Sequence, residues 1–174
     1  MTAEKIYFDM DGVLADFDRG VRELCGMEAF DQGGRSPAED DIMWDAIRKV
    51  DHFYDRLELM PGAKEMFDRV YGKYGDRCGI LTGIPRNERG IKDAAPDKIA
   101  WSHRLLSKDV MVYAVCRRHK ILFCTGPEAV LIDDPEKTIK EWREQGGTRD
   151  PACEPGGDAE GTGKAGTVVR GESV

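Results

Sequence analysis

Two carboxylates stand two residues apart at Asp9 and Asp11, after the apolar run Ile6-Tyr7-Phe8 and directly before Gly12. Acids this close repel one another, and a divalent cation is the usual partner that holds them together. A second acid pair, Asp133 and Asp134, ends the run Ala129-Val130-Leu131-Ile132, and Thr82-Gly83 ends the run Gly79-Ile80-Leu81. Lys120 lies in the basic run Arg117-Arg118-His119-Lys120, with Lys108 as the alternative lysine ahead of the Ala129 run. Phosphoryl transfer needs a nucleophile, a metal, and cations or donors around the equatorial oxygens. Asp9 would attack phosphorus and form an aspartyl-phosphate. Asp11 would protonate the leaving alkoxide and then deprotonate the hydrolytic water. The Thr82 hydroxyl and the Gly83 N–H would bind phosphate oxygens. Lys120 would neutralise phosphate and Asp9 charge, and Asp133 and Asp134 would complete a hard oxygen set for Mg²⁺.

The elements that must position these residues alternate along the chain. Residues 5–10 read as a buried strand. Val13, Phe17, Val21 and Leu24 recur at helical spacing, and the glycines of 26–37 mark a loop. A helix over 38–50 follows, capped by Ser36 or Asp40, with Ile42, Trp44, Ile47 and Val50 as its less polar positions. Pro61-Gly62 restarts the main fold with a helix faced by Ala63, Phe67, Val70 and Tyr74 and ended by Gly75. A strand over 77–83, a loop over 84–95, a helix over 97–106 and a strand over 110–115 come next. Residues 117–126 read as a short basic helical turn, 129–134 as a strand, and Pro135 as the start of a last helix facing inward through Ile139 and Trp142. This β-α alternation predicts an α/β fold, a Rossmann-like parallel sheet with helices on both faces. The chemistry-bearing strand ends meet only if strands one, two and four are parallel neighbours. Residues 1–15 and 61–147 form the expected core, and 16–60 a small helical cap inserted after the first strand. Residues 148–174 hold six glycines, two prolines and no Leu, Ile or aromatic residue. That composition predicts a disordered tail, with Thr167-Val168-Val169 as a weak edge strand.

The 174 residues carry a net charge of −7, which argues against binding nucleic-acid polymers or anionic membranes. No apolar run is long enough to span a bilayer, and the N-terminus passes straight into a strand with no signal peptide. Five cysteines without a C-x-x-C pair suit reduced thiols in a cytoplasmic protein.

Four motifs in order, Asp-Met-Asp-Gly, Ile-Leu-Thr-Gly, a lysine, and Leu-Ile-Asp-Asp, closely resemble the haloacid dehalogenase-like (HAD) phosphohydrolase superfamily over residues 4–147. Asp-Met-Asp-Gly-Val-Leu-Ala-Asp-Phe, Leu-x-x-Met-Pro-Gly-Ala and Asp-Lys-Ile-Ala-Trp further resemble its 5′(3′)-deoxyribonucleotidase family. The resemblance implies Mg²⁺ held by Asp9, by the main-chain carbonyl of Asp11 and by Asp134, with Asp133 in support. It implies a nucleoside monophosphate substrate, cap aromatics Phe17 and Trp44 against the base, and Arg86 on the phosphate. Gly83-Ile84-Pro85 departs from the family's Ser/Ala-Pro pair, and Pro135 stands where Arg is common. A sugar phosphate is the competing substrate class, and a non-catalytic phosphate-binding module the competing kind of protein.

Overall fold

The computed structural model describes residues 4–27, 35–133, 136–149 and 167–171. In chain order the elements are β1 (Lys5–Phe8), α1 (Phe17–Cys25), α2 (Pro37–Arg48), α3 (Ala63–Tyr74), β2 (Cys78–Ile84), α4 (Ala94–Leu105), β3 (Met111–Cys116), β4 (Ala129–Asp133), α5 (Glu136–Glu144), β5 (Gly147–Arg149) and β6 (Thr167–Gly171). The strands lie in the order β3-β2-β1-β4-β6-β5. The first four are parallel, so β2, β1 and β4 are adjacent and end on the same side.

Side chains alternate across a strand, and the core divides accordingly. Ile6 and Phe8 join Ile80, Val130 and Ile132 on one face, covered by Phe67 and Val70 of α3 and Trp101 of α4. Tyr7, Leu81 and Leu131 point to the other face, where Trp142 of α5 covers them. Helices therefore pack on both faces of a parallel sheet, and the chain is α/β. Phe8 and Phe67 are fully buried with ring centroids 5.3 Å apart, and burial of such a side chain contributes about 1.5–3 kcal/mol. A Cβ on Gly79 would stand 3.0 Å from the Tyr113 ring. Its bare backbone leaves room for Tyr113 to meet Tyr7 edge-on at 6.0 Å.

Several elements begin elsewhere than the sequence pattern predicts. The first helix starts at Phe17, not near Val13. Gly12 turns with φ 82°, and the Leu14 and Ala15 N–H groups both donate to the Met10 carbonyl at 2.8 Å. Asp16 then caps α1, accepting from the Arg19 N–H at 3.1 Å. Ser36, not Asp40, caps α2 in a reciprocal box with Glu39. The buried positions of α2 are Met43 and Ile47, and Ile42 is 57% exposed. Helix α4 starts at Ala94, a turn earlier than the loop expected over 84–95 allows, because Pro96 falls in the first turn, where no intrahelical N–H bond is lost.

The segment 16–60 has no separate core. Phe17, Val21, Met43, Ile47, Phe53, Tyr54 and Leu57 are continuous with the cluster that covers β1. Helix α4 holds this insert along its length. Asp97 meets His52 (Nδ1 to Oδ1 2.8 Å), Trp101 donates its indole N–H to the Leu57 carbonyl at 2.7 Å, and Arg104 pairs with Asp55 at 2.9 Å.

At the other end of the chain, Thr167–Gly171 corrects part of the tail reading. It forms β6, antiparallel to β4, and β5 pairs on its far side, so this strand lies inside the sheet and not at its edge. Residues 150–166 and 172–174 lie outside the described residues, as do Pro135 and the side chain of Ile139. Among the described residues no helix is long and apolar enough to cross a membrane.

Candidate active site

Strand β1 delivers Asp9 to the crevice. The Asp9 N–H donates to the Ile132 carbonyl at 2.8 Å, carrying the β1–β4 ladder one residue past Phe8. Its carboxylate is 6% exposed. The Gly12 turn that follows folds Asp11 back beside the same strand ends. Thr82 arrives fully buried near the end of β2, and Asp133 fully buried at the end of β4. A turn of 3-10 helix over Arg117–Phe123 leads back from β3 and buries Lys120, the fifth of the groups that meet here.

Lys120 Nζ lies 2.7 Å from Asp9 Oδ1 and 3.2 Å from Asp133 Oδ2, so one ammonium bridges the ends of β1 and β4. Burial works against its charge, but Asp9 and Asp133 outweigh burial and hold its pKa above the ordinary lysine value. Burial, reinforced by the negative charge of Asp9 and opposed by Lys120, pushes the Asp133 carboxyl up to about 8. Burial likewise raises Asp11, against the pull of Lys98. Lys108 stands exposed ahead of β3, at the N-terminal end of that strand, whereas the acids gather at the C-terminal ends of its neighbours. Of the two lysines left open by the sequence, Lys120 is the one in the crevice.

A second lysine enters that sequence reasoning did not single out. Lys98 of α4 is fully buried. Its Nζ donates to Asp11 Oδ2 at 2.6 Å, to Thr82 Oγ1 at 3.1 Å and to the Gly83 carbonyl at 2.7 Å, and it lies 4.4 Å from the Tyr54 ring centroid. A signal existed. Ala94, Lys98, Trp101 and Leu105 form one stripe at helical spacing, and a charge in the middle of an apolar stripe needs a buried partner.

The other expected contacts are not brought to this point. Phe17 is buried inside the insert, edge-on to Phe53 at 5.9 Å and stacked with Tyr54 at 6.1 Å. Trp44 is half-buried, donates its indole N–H to Asp40 at 3.0 Å, and carries the Arg89 guanidinium 5.8 Å from its ring centroid. Arg86 is exposed on the loop after β2. Asp134 lies outside the described residues.

The donor set fits a hard cation. Asp133 Oδ1 is a buried acceptor oxygen with no hydrogen-bond partner, and Asp9 Oδ1 meets Lys120 as an ion pair without completing a hydrogen bond. Free carboxylate oxygens at adjacent strand ends suit Mg²⁺ better than a softer metal. A different trio, His52, Asp93 and Asp97, brings one nitrogen and two carboxylates within 4.8 Å where the insert meets α4. There the imidazole already pairs with both acids, at 3.8 Å and 2.8 Å.

No protein-family model and no curated protein matches the chain. Several solved structures resemble it, two of them as follows. One is a Thermotoga maritima protein named as a β-phosphoglucomutase, 18% identical, covering 81% of this chain and 81% of its own, with a TM-score of 0.46. The other is a Lactobacillus plantarum protein named as a phosphoglycolate phosphatase, 18% identical, covering 82% of this chain and 83% of its own, with a TM-score of 0.42.

Proposed function

We propose that this chain is a Mg²⁺-dependent phosphomonoester hydrolase of the HAD-like kind, working through an aspartyl-phosphate on Asp9. The observation that carries the reading is the buried Lys120 ammonium between Asp9 and Asp133. It holds a nearly enclosed carboxylate in place, as a nucleophile must be held. An Asp9 oxygen bonds to phosphorus while the ester P–O bond breaks and Asp11 gives its proton to the departing oxygen. Water then attacks the same phosphorus, giving its proton to Asp11, and the Asp9–phosphate bond breaks to release inorganic phosphate. The raised pKa of Asp11 suits a group that must carry a proton and then lose it. Lys120 and the Thr82 hydroxyl take up charge on the phosphoryl oxygens. Asp9, the Asp11 carbonyl, Asp133 and Asp134 would hold Mg²⁺, which would supply positive charge to the transferring group.

The motifs favour a nucleoside monophosphate as the substrate. The burial of Phe17 and the Arg89-covered Trp44 favour a leaving group that needs no aromatic stacking, such as a sugar. Turnover of nucleoside monophosphates and sugar phosphates in Mg²⁺ compares the two directly. Asp9→Asn removes the nucleophile and is expected to lower turnover at least a thousandfold with the melting transition intact. Full activity in that variant refutes the reading.

A further inference from the structure

Lys98 has no role in the reaction as written above, yet it is a fully buried cation beside Asp11 and Thr82. Its ammonium has three N–H donors, and all three are taken by Asp11, Thr82 and Gly83. A lysine with no donor left cannot also bind a phosphate oxygen. It can only fix the groups it already holds.

What it fixes is specific. One oxygen of Asp11, Oδ2, is occupied by Lys98, while Oδ1 is buried with no hydrogen-bond partner. The carboxylate is thus pinned by one oxygen with the other left free. Thr82 Oγ1 accepts from the same ammonium, so its own hydrogen is turned away from Lys98 and is available to another acceptor. The Gly83 carbonyl ties the residue after Thr82 to the same point. The Tyr54 ring beside the ammonium keeps water from competing for it.

We propose that Lys98 is the positioning residue of the site: it clamps Asp11 and the Thr82–Gly83 turn into one unit, leaving Asp11 Oδ1 as the oxygen that exchanges the proton with the leaving group. The proposal rests on the phosphomonoesterase reading. It differs from a purely structural role because it acts through Asp11, whose importance depends on the leaving group. A poor leaving group such as an alkoxide needs the proton, whereas a stabilised aryloxide does not.

The test measures kcat and KM for an alkyl phosphate and for 4-nitrophenyl phosphate in Mg²⁺, using wild type, Lys98→Met, Asp11→Asn and the double variant. General acid catalysis is worth about 10²–10⁴-fold. Lys98→Met is therefore expected to lose about a hundredfold in kcat on the alkyl ester, at least tenfold less on the aryl ester, and little in KM. In the Asp11→Asn background the same substitution is expected to add no further loss that depends on the leaving group, the remaining loss through Thr82 and Gly83 being equal on the two esters and less than about tenfold. Equal losses on the two esters, or leaving-group-dependent losses that multiply in the double variant, overturn the proposal while leaving the phosphomonoesterase reading in place. A wild type that turns over neither ester overturns both. If Lys98→Met alone does not fold, the double variant, which removes both charges, is compared with Asp11→Asn, and any additional leaving-group-dependent loss overturns the proposal.

Discussion

Lys120→Met removes the one cation between two buried acids while keeping most of the side-chain volume. Its contacts are 2.7 Å to Asp9 and 3.2 Å to Asp133. At an effective dielectric of about 20 these correspond to roughly 6 and 5 kcal/mol of gross attraction. Most of that offsets the cost of burying three charges, and breaking such a cluster from one side leaves a net loss of about 3–5 kcal/mol. For a chain of this size that is a fall of about 6–20 °C in melting temperature. The assay is denaturant and thermal unfolding at about pH 9 in a chelator, above the value of about 8 at which Asp133 ionises and with no added cation to replace the lysine. Adding Asp133→Asn to Lys120→Met should restore part of the loss, because the two acids no longer repel each other unshielded. A loss below about 1 kcal/mol, the value of an exposed ion pair, or no recovery in the double variant, refutes this account of the cluster.

Two further outcomes follow from the same geometry. Asp133, with its folded-state pKa raised to about 8, contributes stability that is complete below its unfolded value near 4 and is lost as pH rises through about 8. The metal-free wild type should therefore lose up to about 1.4 kcal/mol per pH unit relative to Asp133→Asn between pH 5 and 8, and a difference that grows in the opposite direction in a chelator titration contradicts the assignment. Arg89 pairs with Asp40 at 2.8 Å and with Asp41, and covers Trp44, joining α2 to the loop after β2. Because these groups are partly solvated, Arg89→Ala should cost only about 1 kcal/mol but should change tryptophan fluorescence as Trp44 is uncovered, and an unchanged spectrum would show that this contact is not made in solution.

The fold class was legible because β1, β2 and β4 are apolar runs that stop abruptly at polar residues, a pattern that a parallel sheet explains directly. Boundaries were less legible where a side chain, not a period, decides them. Ser36 beat Asp40 as a cap because Glu39 could return its hydrogen bond, and the helix expected over 97–106 starts at Ala94 with Pro96 in its first turn. Asp9, Asp11, Thr82, Lys120 and Asp133 could be picked out by type and order, but the choice between Lys108 and Lys120 needed the direction of β3. Lys98 was hidden because a lysine in a helix is ordinarily solvated, and only tertiary packing supplies its three acceptors. Phe17 and Trp44 were named from their places in the chain, and their surroundings come only from packing: Phe17 stacks on Tyr54 and Trp44 meets Arg89. An aromatic residue at the right place in the chain can point into its own insert, and spacing alone does not say which way its face is turned. Thr167-Val168-Val169 was legible as a weak strand, but its place between β4 and β5 was not, because pairing partners carry no local signal.

Helix α4 meets the insert through Asp97, Trp101 and Arg104, and the residue beside Asp97 is Lys98. The insert and the crevice at the strand ends are thus docked on one helix, not joined only by the chain crossing between them. For protein engineering, this means that residues 16–60 are not a detachable module. A different insert grafted between Ala15 and Pro61 would leave Asp97, Trp101 and Arg104 facing unfamiliar partners. A working chimera has to carry over the matching face of α4 as well, so the transferable unit is discontinuous in sequence and larger than the insertion itself.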